Sequence, residues 1–227
     1  MLLPLPALLS PDEVAALRRF IDTADWIDGN ATSGHQAQLV KDNLQLPEAS
    51  EAAQSAGQIV LAALARNPVF ISAALPAKIY PPMFNSYAGG QNYGLHVDNA
   101  VRVLPGAGGT IRADLSMTVF LEDPATYDGG ELSIETAFGA QRVKLSAGDG
   151  VLYPSSSLHR VEPVTQGRRL ASFLWVQSMV ADERARSSLF DLDQSIQQLS
   201  ADVGQDHSAL VRLTGVYHNL LRRWAEA

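Results

Sequence analysis

Apolar residues near the start of the chain recur at the spacing of an α-helix. Val14, Leu17 and Ile21 follow one another at three- and four-residue intervals, which places them on one helical face. The preceding "SPDE" at 10–13 offers a capping serine, a proline suited to the first helical position and a glutamate that completes a capping box. The pattern predicts a helix over about 11–24.

Two further segments complete the N-terminal part of the chain. The run "AAQSAGQIVLAALAR" is rich in strong helix formers and predicts a second helix between Pro47 and Arg66. Residues 27–46 contain glycine, asparagine, threonine and serine, which predicts a loop with at most short strands. We therefore expect residues 1–76 to form a helical segment that packs on the core that follows.

From about Ala77 the pattern changes to short runs rich in β-branched and aromatic residues, separated by glycine-containing turns. The runs are "KIYPPMFNSYAGG", "GLHVDN", "LSMTVFLED", "GELSIET", "QRVKLSAGDGVLYP", "HRVEPVT" and "LASFLWVQSMV". The stretch "LSMTVFL" is nearly all apolar, which is typical of a strand buried on both faces. The pattern predicts a mainly β fold with flanking α-helices, whose core over 77–180 is a double-stranded β-helix (jelly roll).

After Val180 the apolar period returns to that of helices. Two apolar stripes follow, formed by Leu189, Leu192, Ile196, Leu199 and Val203 and by Leu210, Leu213, Tyr217, Leu220 and Trp224. Asp206 is well placed as the N-cap of the second helix. The pattern predicts a helical hairpin over 181–227 that packs on the barrel or on a second subunit, and the second arrangement would give a homodimer through these helices.

The composition excludes several kinds of site and partner. No cysteine is present among the 227 residues, so histidines and carboxylates must hold any metal. The net charge of −7 makes nucleic acid a poor partner. No apolar run is long enough to cross a bilayer, and the opening "MLLPLPALLSPDE" lacks the basic region of a signal peptide. We therefore expect a cytoplasmic protein that does not contact a membrane.

His96 and Asp98, two positions apart in "YGLHVDNAVR", are the first candidates for chemistry. Alternate residues of a strand point to the same side, so a strand here would present both side chains together. Chance produces this spacing easily, but His159 at the start of a later predicted strand supplies a third ligand. Two histidines and one carboxylate leave three positions of an octahedral ion open, which is the arrangement of non-haem Fe(II) oxygenases.

Those open positions suit a bidentate 2-oxo acid together with O₂, and 2-oxoglutarate carries a second carboxylate that needs a cation. Arg169 follows His159 by ten positions, on the next predicted strand. Its planar guanidinium donates two parallel hydrogen bonds to a carboxylate. Arg168 and Arg169 face opposite sides of the strand, and alternation alone leaves open which of them faces inward.

Three segments together resemble a known family, over about residues 80–180. They are "FNSYAGGQNYGLHVDNAVR", "TVFLEDPATYDGGEL" and "GDGVLYPSSSLHRVEPVTQGRR". They resemble the prolyl 4-hydroxylase-like branch of Fe(II)/2-oxoglutarate dioxygenases, and most closely the bacterial PKHD-type hydroxylases, a group linked with iron uptake. The resemblance implies that His96, Asp98 and His159 bind Fe(II). It also implies that Arg169 binds the distal carboxylate of 2-oxoglutarate, with help from Tyr87.

The activity implied by the resemblance is hydroxylation of a C–H bond by O₂, coupled to decarboxylation of 2-oxoglutarate to succinate and CO₂. L-ascorbate, which keeps the iron reduced, is a further expectation from the family. No spacing specifies the substrate, a small molecule or a peptide, and "prolyl" in the family name does not identify it. We expect the loops at 27–46 and 104–112 to line its entrance. Asn99 and Arg102 are candidates for substrate contact, although most polar residues at loop edges make none.

Two other functions are weighed against this one. A serine hydrolase that uses His159 beside Ser155 to Ser157 lacks the Gly-x-Ser-x-Gly turn such enzymes need. A non-redox, cupin-like metal sensor or sequestration module remains the alternative, although a sensor has no need of Arg169 as a carboxylate clamp. The other histidines have no partner at ligand spacing, and we expect structural or surface roles for His35, His207 and His218.

Overall fold

Helices at both ends of the chain flank a set of β-strands in the computed structural model, which describes residues 1–32, 40–106 and 108–226. The α-helices are α1 (Pro11–Ile21), α2 (Glu51–Arg66), α3 (Pro68–Ala74), α4 (Glu183–Val203) and α5 (Ser208–Trp224), with short 3₁₀ turns at Gly29–Thr32 and Pro124–Thr126. Residues 33–39 of the loop predicted over 27–46, His35 among them, lie outside the described residues.

The strands are short and run from the N-terminal segment to the end of the barrel. They are β1 (Leu3–Leu5), β2 (Ile27–Asp28), β3 (Lys41–Asp42), β4 (Leu44–Gln45), β5 (Pro76–Ile79), β6 (Met83–Ala88), β7 (Asn92–His96), β8 (Val101–Val103), β9 (Thr110–Arg112), β10 (Leu115–Phe120), β11 (Asp128–Gly129), β12 (Leu132–Thr136), β13 (Gly139–Val143), β14 (Gly150–Pro154), β15 (His159–Val161), β16 (Val164–Gln166) and β17 (Arg168–Ser178).

Two antiparallel sheets face each other, as predicted for a jelly roll. The larger has the order β1-β14-β10-β17-β6-β4-β2, with β5 paired to β17, and the smaller has the order β13-β12-β15-β7-β3. Every residue of β10 is buried, because helices cover one side of the larger sheet and the smaller sheet covers the other. This confirms the reading of "LSMTVFL" as a strand without a solvent face.

The alternation of β17 divides its side chains between two cores. Leu170 and Leu174 point toward helices α1, α2 and α3, in one apolar cluster with Leu17 and Ile21. Arg169 and Phe173 point to the opposite side and line the space between the two sheets. The central strand of the larger sheet thus separates a helix-covered core from an open cavity.

The N-terminal helices form largely where the sequence predicts them. Ser10 caps α1 with the reciprocal Glu13 contact of a capping box, and the helix ends at Ile21 rather than near residue 24. The short helix α3 was not predicted, although Asn67 caps it and Pro68 occupies its first turn. It stops at Leu75, whose left-handed backbone (φ 43°) replaces the glycine that usually signals such an end.

The C-terminal hairpin forms as predicted, with one correction at its turn. His207, not Asp206, is the N-cap of α5, because its Nδ1 accepts the Ala209 amide at 3.3 Å. Tyr217, Leu220 and Trp224 pack against the buried cluster of Leu75, Val180 and Leu189. Part of the predicted apolar faces therefore contacts the end of the barrel and the companion helix, whereas Leu199 and Val203 of the first stripe are exposed.

The end of the C-terminal segment also touches a two-stranded hairpin formed by β8 and β9. Arg112 in β9 donates to Asp114 at 2.7 Å and to Glu226, just beyond α5, at 2.6 Å. The Glu226 amide in turn donates to the Met179 carbonyl at 2.8 Å. These contacts join the last described residues of the chain to the strand pair that flanks the cavity.

No single helix in the described parts of the chain is long and apolar enough to span a bilayer. Taken together, α2 and α3 meet that test by length and composition, but they are bent by 83° where they join.

Candidate metal centre and its cavity

Two histidines lie side by side on neighbouring strands of the smaller sheet. His96 ends β7 and His159 begins β15, and the two residues are direct partners in the antiparallel pairing of these strands. Their ring centroids are 4.2 Å apart. Cross-strand partners project to the same face, so the pairing aims both imidazoles into the cavity. The sequence places them far apart, and strand register brings them together.

Asp98 completes the cluster, but not as strand alternation predicts. β7 ends at His96, so Asp98 lies in the loop beyond it rather than on the same strand face. Its carboxylate is held instead by the Ser116 hydroxyl of β10, which donates to Oδ2 at 2.5 Å. Ser116 also shares a 2.7 Å hydrogen bond with Ser155. The ligand atoms of His96, Asp98 and His159 all lie within 4.8 Å of one another.

Hydrogen bonds to backbone carbonyls set the orientation of both imidazoles. Nδ1 of His96 donates to the Gly94 carbonyl at 2.7 Å, and Nδ1 of His159 donates to the Ser157 carbonyl at 3.0 Å. A carbonyl only accepts, so Nδ1 of each ring carries a proton and Nε2 is the nitrogen that faces a metal. Burial, and then the nearby His159 ring, lower the pKa of His96 to about 4, so its imidazole is neutral at pH 7.

Arg169 occupies the interior of the same cavity and is only 1% exposed. Tyr87 is its direct cross-strand partner on β6, and the guanidinium carbon lies 5.4 Å from the ring centroids of both Tyr87 and Phe120. One guanidinium nitrogen donates to Asn85 at 3.5 Å, and Nε is buried with no hydrogen-bond partner among the described residues. A buried arginine without a carboxylate is costly unless a ligand supplies one.

Arg168 takes the opposite side of the strand, which answers the question that alternation left open. Its Nε donates to Ser86 at 2.8 Å, and its guanidinium carbon lies 5.0 Å from the Trp26 ring centroid. Arg168 therefore faces the helices, and Arg169 alone of the pair lines the cavity.

The residues present fit the groups implied by the sequence. Two imidazoles and a carboxylate form the donor set of a facial Fe(II) site with open positions. Arg169 presents a buried fork to a carboxylate, and the neighbouring Tyr87 hydroxyl stays protonated because burial raises its pKa. The cavity that joins them has an empty volume of about 810 Å³, counted out to the solvent at its mouth.

Sequence reasoning missed several residues that shape this site. Gly130 has φ +68°, and a Cβ there would lie 3.0 Å from Cδ of Arg169. Its lack of a side chain leaves room for the arginine. Lys41 and Ser116 also line the cavity, and no spacing along the chain pointed to either of them.

The candidates for substrate contact lie at the cavity mouth. Asn99 and Arg102 both line it, beside the metal cluster. The predicted loop at 104–112 is partly strand, because β9 begins at Thr110 and pairs with β8 to form a hairpin. His207 is a helix cap and His218 lies on the exposed side of α5, in keeping with the structural and surface roles expected of them.

Two family models match adjoining parts of the chain. The 2OG-Fe(II) oxygenase superfamily matches residues 82–177, which contain the metal cluster and Arg169. The PKHD-type hydroxylase C-terminal domain matches residues 183–226, the helical hairpin. Both matches agree with the family resemblance of the site motifs.

Full-length relatives and solved structures agree with these matches. PKHD-type hydroxylases of Rhizorhabdus wittichii and Burkholderia thailandensis are each 57% identical to this chain over 227 residues, covering 100% of both chains. A Pseudomonas putida prolyl-4-hydroxylase is 21% identical, with a TM-score of 0.52 over 78% of this chain and 92% of its own. A Trichoplax adhaerens prolyl hydroxylase is 15% identical, with a TM-score of 0.56 over 82% and 86%.

The solved structures share the jelly-roll fold, and the full-length relatives carry the family assignment. Oxygenases of this superfamily depend on Fe(II), 2-oxoglutarate and O₂, which is the chemistry that the donor set and the buried arginine fit. The chain therefore belongs to the PKHD-type hydroxylases and is a 2-oxoglutarate-dependent oxygenase.

Proposed function

We propose that His96, Asp98 and His159 hold Fe(II) and that Arg169, with Tyr87, holds the distal carboxylate of 2-oxoglutarate. The observation that carries the proposal is one shared cavity. Three ligand atoms within 4.8 Å of one another face the same space as a buried arginine whose Nε lacks a partner among the described residues. Bound together, Fe(II) and 2-oxoglutarate supply the activation of O₂ and the hydroxylation of a C–H bond, with release of succinate and CO₂.

The chain's own residues orient these groups and exclude water. The Gly94 and Ser157 carbonyls fix both imidazole rings, and Ser116 fixes the Asp98 carboxylate. Outer hydrogen bonds of this kind keep ligands in the geometry that a metal needs. Around Arg169, the rings of Tyr87 and Phe120 are fully buried. A carboxylate bound there would be shielded from water, which strengthens its attraction to the guanidinium.

The finer features of the function are supported by composition and family resemblance. We propose a small-molecule or peptide substrate and a link to iron uptake or homeostasis. Ascorbate is proposed as the reductant that keeps the iron ferrous. The absence of cysteine supports a cytoplasmic protein, and the acidic net charge supports one that does not act on nucleic acid. Exposed apolar side chains on the C-terminal helices, such as Val203 and Val211, support a homodimer through these helices.

Anaerobic titration with Fe(II) and 2-oxoglutarate tests the site without knowledge of the substrate. We expect the visible charge-transfer band of a chelated 2-oxo acid, and succinate once O₂ is admitted. His159→Ala is expected to lose both signals. His218→Ala, which alters an exposed histidine on α5, is the matched control and is expected to keep both.

A bound metal without the band, and without succinate, would contradict the co-substrate assignment. That result would favour the non-redox, cupin-like metal module in its place. The buried Arg169 argues against the module, because a metal sensor has no need of a carboxylate clamp in its cavity.

A further inference from the structure

A second arginine lies at the mouth of the cavity, and the proposed chemistry makes no use of it. Arg102 belongs to β8, and its guanidinium carbon lies 3.7 Å from the Trp175 ring centroid and 5.0 Å from that of Tyr80. Both rings belong to a small buried cluster, with Ile111, beneath the β8–β9 hairpin. Stacking on two aromatic rings holds the flat guanidinium in place at the cavity wall.

This guanidinium has no carboxylate partner among the described residues. Arg112 and Arg160, by contrast, each contact a carboxylate within 2.8 Å. Nε of Arg102 is buried without a hydrogen-bond partner. Glu48 accepts the Tyr80 hydroxyl at 2.9 Å but forms no ion pair with Arg102. Residues 33–39, outside the described part, contain no acidic side chain.

Lys41 adds a second positive charge to the lining of the same cavity. Its ammonium donates to the Gly29 carbonyl at 2.8 Å and to Gln45 at 3.0 Å, both neutral acceptors, and lies 5.6 Å from the Tyr93 ring centroid. Burial, and then the charge of Arg102, lower the pKa of Lys41 to about 8. The lysine is therefore mainly protonated at pH 7, although burial and the charge of Arg102 oppose its protonation.

The charges of the loaded cavity do not balance without another anion. Fe(II) and 2-oxoglutarate carry opposite charges of equal size, and Asp98 offsets Arg169. Lys41 and Arg102 remain, in a chain whose net charge is −7. A concave site that keeps two cations in an acidic protein attracts anions to that point.

We propose that Arg102, with Lys41 in the lining of the same cavity, binds an oxyanion group of the primary substrate, a carboxylate or a phosphate, while a C–H bond of that substrate faces the metal cluster. The proposal rests on the proposed function and adds a substrate class to it, namely compounds that carry an anionic oxygen group. The guanidinium fork suits such a group, because two parallel N–H donors match its oxygens.

Small anions test this site directly. The protein is loaded anaerobically with Fe(II) and 2-oxoglutarate and titrated with acetate, inorganic phosphate or acetamide, while tryptophan fluorescence is recorded. Trp175 reports on the site because Arg102 stacks on it. We expect saturable binding of acetate or phosphate, none of neutral acetamide, and an affinity about tenfold or more lower in Arg102→Gln. Arg142→Gln removes the same charge from an exposed position on β13 and is expected to bind like the wild type.

The outcomes separate the two sources of the oxyanion. Tighter binding of acetate indicates a carboxylate-bearing substrate, and tighter binding of phosphate indicates a phosphorylated one. Equal responses to acetate and acetamide, or wild-type affinity in Arg102→Gln, would overturn the proposal. Arg102→Lys keeps a charge without the fork and is expected to bind with intermediate affinity, which separates loss of the anion contact from loss of the fold.

The charge-transfer band in the same samples keeps the two proposals distinct. If the charge-transfer band forms but no anion binding depends on Arg102, only the substrate assignment is wrong. If the band is absent from the wild type, the proposed function fails, and the same titration of the metal-free protein still decides whether Arg102 binds oxyanions.

Discussion

The two arginines of the cavity are built into the protein in different ways. Arg169 sits on the long strand β17, between β6 and β10, and is 1% exposed. Arg102 sits on the three-residue strand β8, whose partner in the described structure is β9. The first is held by the pairing of a whole sheet and the second by stacking on Trp175 and Tyr80. We therefore expect changes to the hairpin to alter the surroundings of Arg102 and to leave those of Arg169 intact.

This difference suits the two proposed roles, binding of the co-substrate by Arg169 and recognition of the substrate by Arg102. A co-substrate used by a whole superfamily needs one unchanging binding residue, and a position inside a sheet, such as that of Arg169, suits this proposed role. A substrate that differs between enzymes is better recognised from a peripheral hairpin, where insertions and substitutions are tolerated. We infer that 2-oxoglutarate binding depends on the sheet, whereas substrate choice depends on β8, β9 and the residues beneath them.

Removal of a proposed metal ligand should abolish turnover, because the co-substrate held by Arg169 and the substrate held by Arg102 would both react at the same ion. His159→Ala deprives the cluster of one of its three ligands, and we expect succinate formation to fall to background. Coupled assay of succinate with 2-oxoglutarate in excess measures the effect. Turnover close to that of the wild type would show that His159 is not a ligand.

Arg169→Ala should affect the co-substrate end alone. Loss of a charge-assisted, bidentate contact costs roughly 1.5–3 kcal/mol, so we expect the 2-oxoglutarate dissociation constant to rise about 10- to 150-fold. Titration of the charge-transfer band gives this constant, and anion binding at Arg102 should persist.

Arg168→Ala is the matched control on the same strand. Arg168 contacts Ser86 and Trp26 on the helix side, so its removal should leave 2-oxoglutarate affinity unchanged. If the two variants were equally impaired, the clamp assignment would be wrong, since the defect would then follow from the strand rather than from the cavity.

Ser116→Ala should weaken metal retention with less effect than loss of a ligand. The variant frees the Asp98 carboxylate from the 2.5 Å hydrogen bond that orients it. Loss of such an outer contact typically lowers metal affinity 10- to 100-fold. Competition with a fluorescent chelator measures it. Ser172→Ala, a buried hydroxyl on the helix side of β17, is the control, and an equal loss there would remove the special role of Ser116.

The effect of the buried Lys41 charge on the free energy of unfolding can be measured through its pH dependence. The pKa of Lys41 falls from 10.5 to about 8 in the folded chain, because burial and then Arg102 oppose its charge. Between these values the unfolded chain binds more protons, so this lysine makes stability rise with pH from about 8 to 10.5. The gain is at most about 3 kcal/mol.

Denaturant unfolding of the wild type and Lys41→Met at pH 7.5 and pH 10 isolates this contribution, because other groups titrate alike in both proteins. We expect the difference in free energy of unfolding to move in favour of the wild type at the higher pH. A difference that stays constant would mean that the ammonium is not destabilised by its surroundings.

Much of the fold could be predicted because local patterns determine it. Three examples are the capping box of α1, the apolar run of β10 and the stripes of the C-terminal helices. In each of them, successive residues of the pattern are only a few positions apart in the sequence. The turn-bounded strands predicted the jelly roll for the same reason. The proposed metal ligation by His96 and His159 needs two residues that are distant in sequence to be close in space, and their cross-strand pairing places them so.

The remaining features depend on contacts between distant parts of the chain. Alternation along β17 reveals that Arg168 and Arg169 face apart, but only the packing of helices on one face decides which is inside. Asp98 reaches the cluster from a loop because Ser116, on another strand, holds it. Arg102 acquires its place from Trp175, more than seventy positions later in the sequence. Such pairings leave no mark on local spacing.

The ion pair between Arg112 and Glu226 makes one end of the cavity sensitive to ionic strength. Both side chains are partly open to solvent, with exposed fractions of 35% and 58%, so dissolved salt screens their attraction. Arg112 lies on β9, and the paired strand β8 carries Arg102. Arg169 has no such link to the surface. If Arg102 binds the substrate as proposed, concentrated salt would weaken this one support of the β8–β9 hairpin, while Asp114 and the Ser178 carbonyl would still hold Arg112.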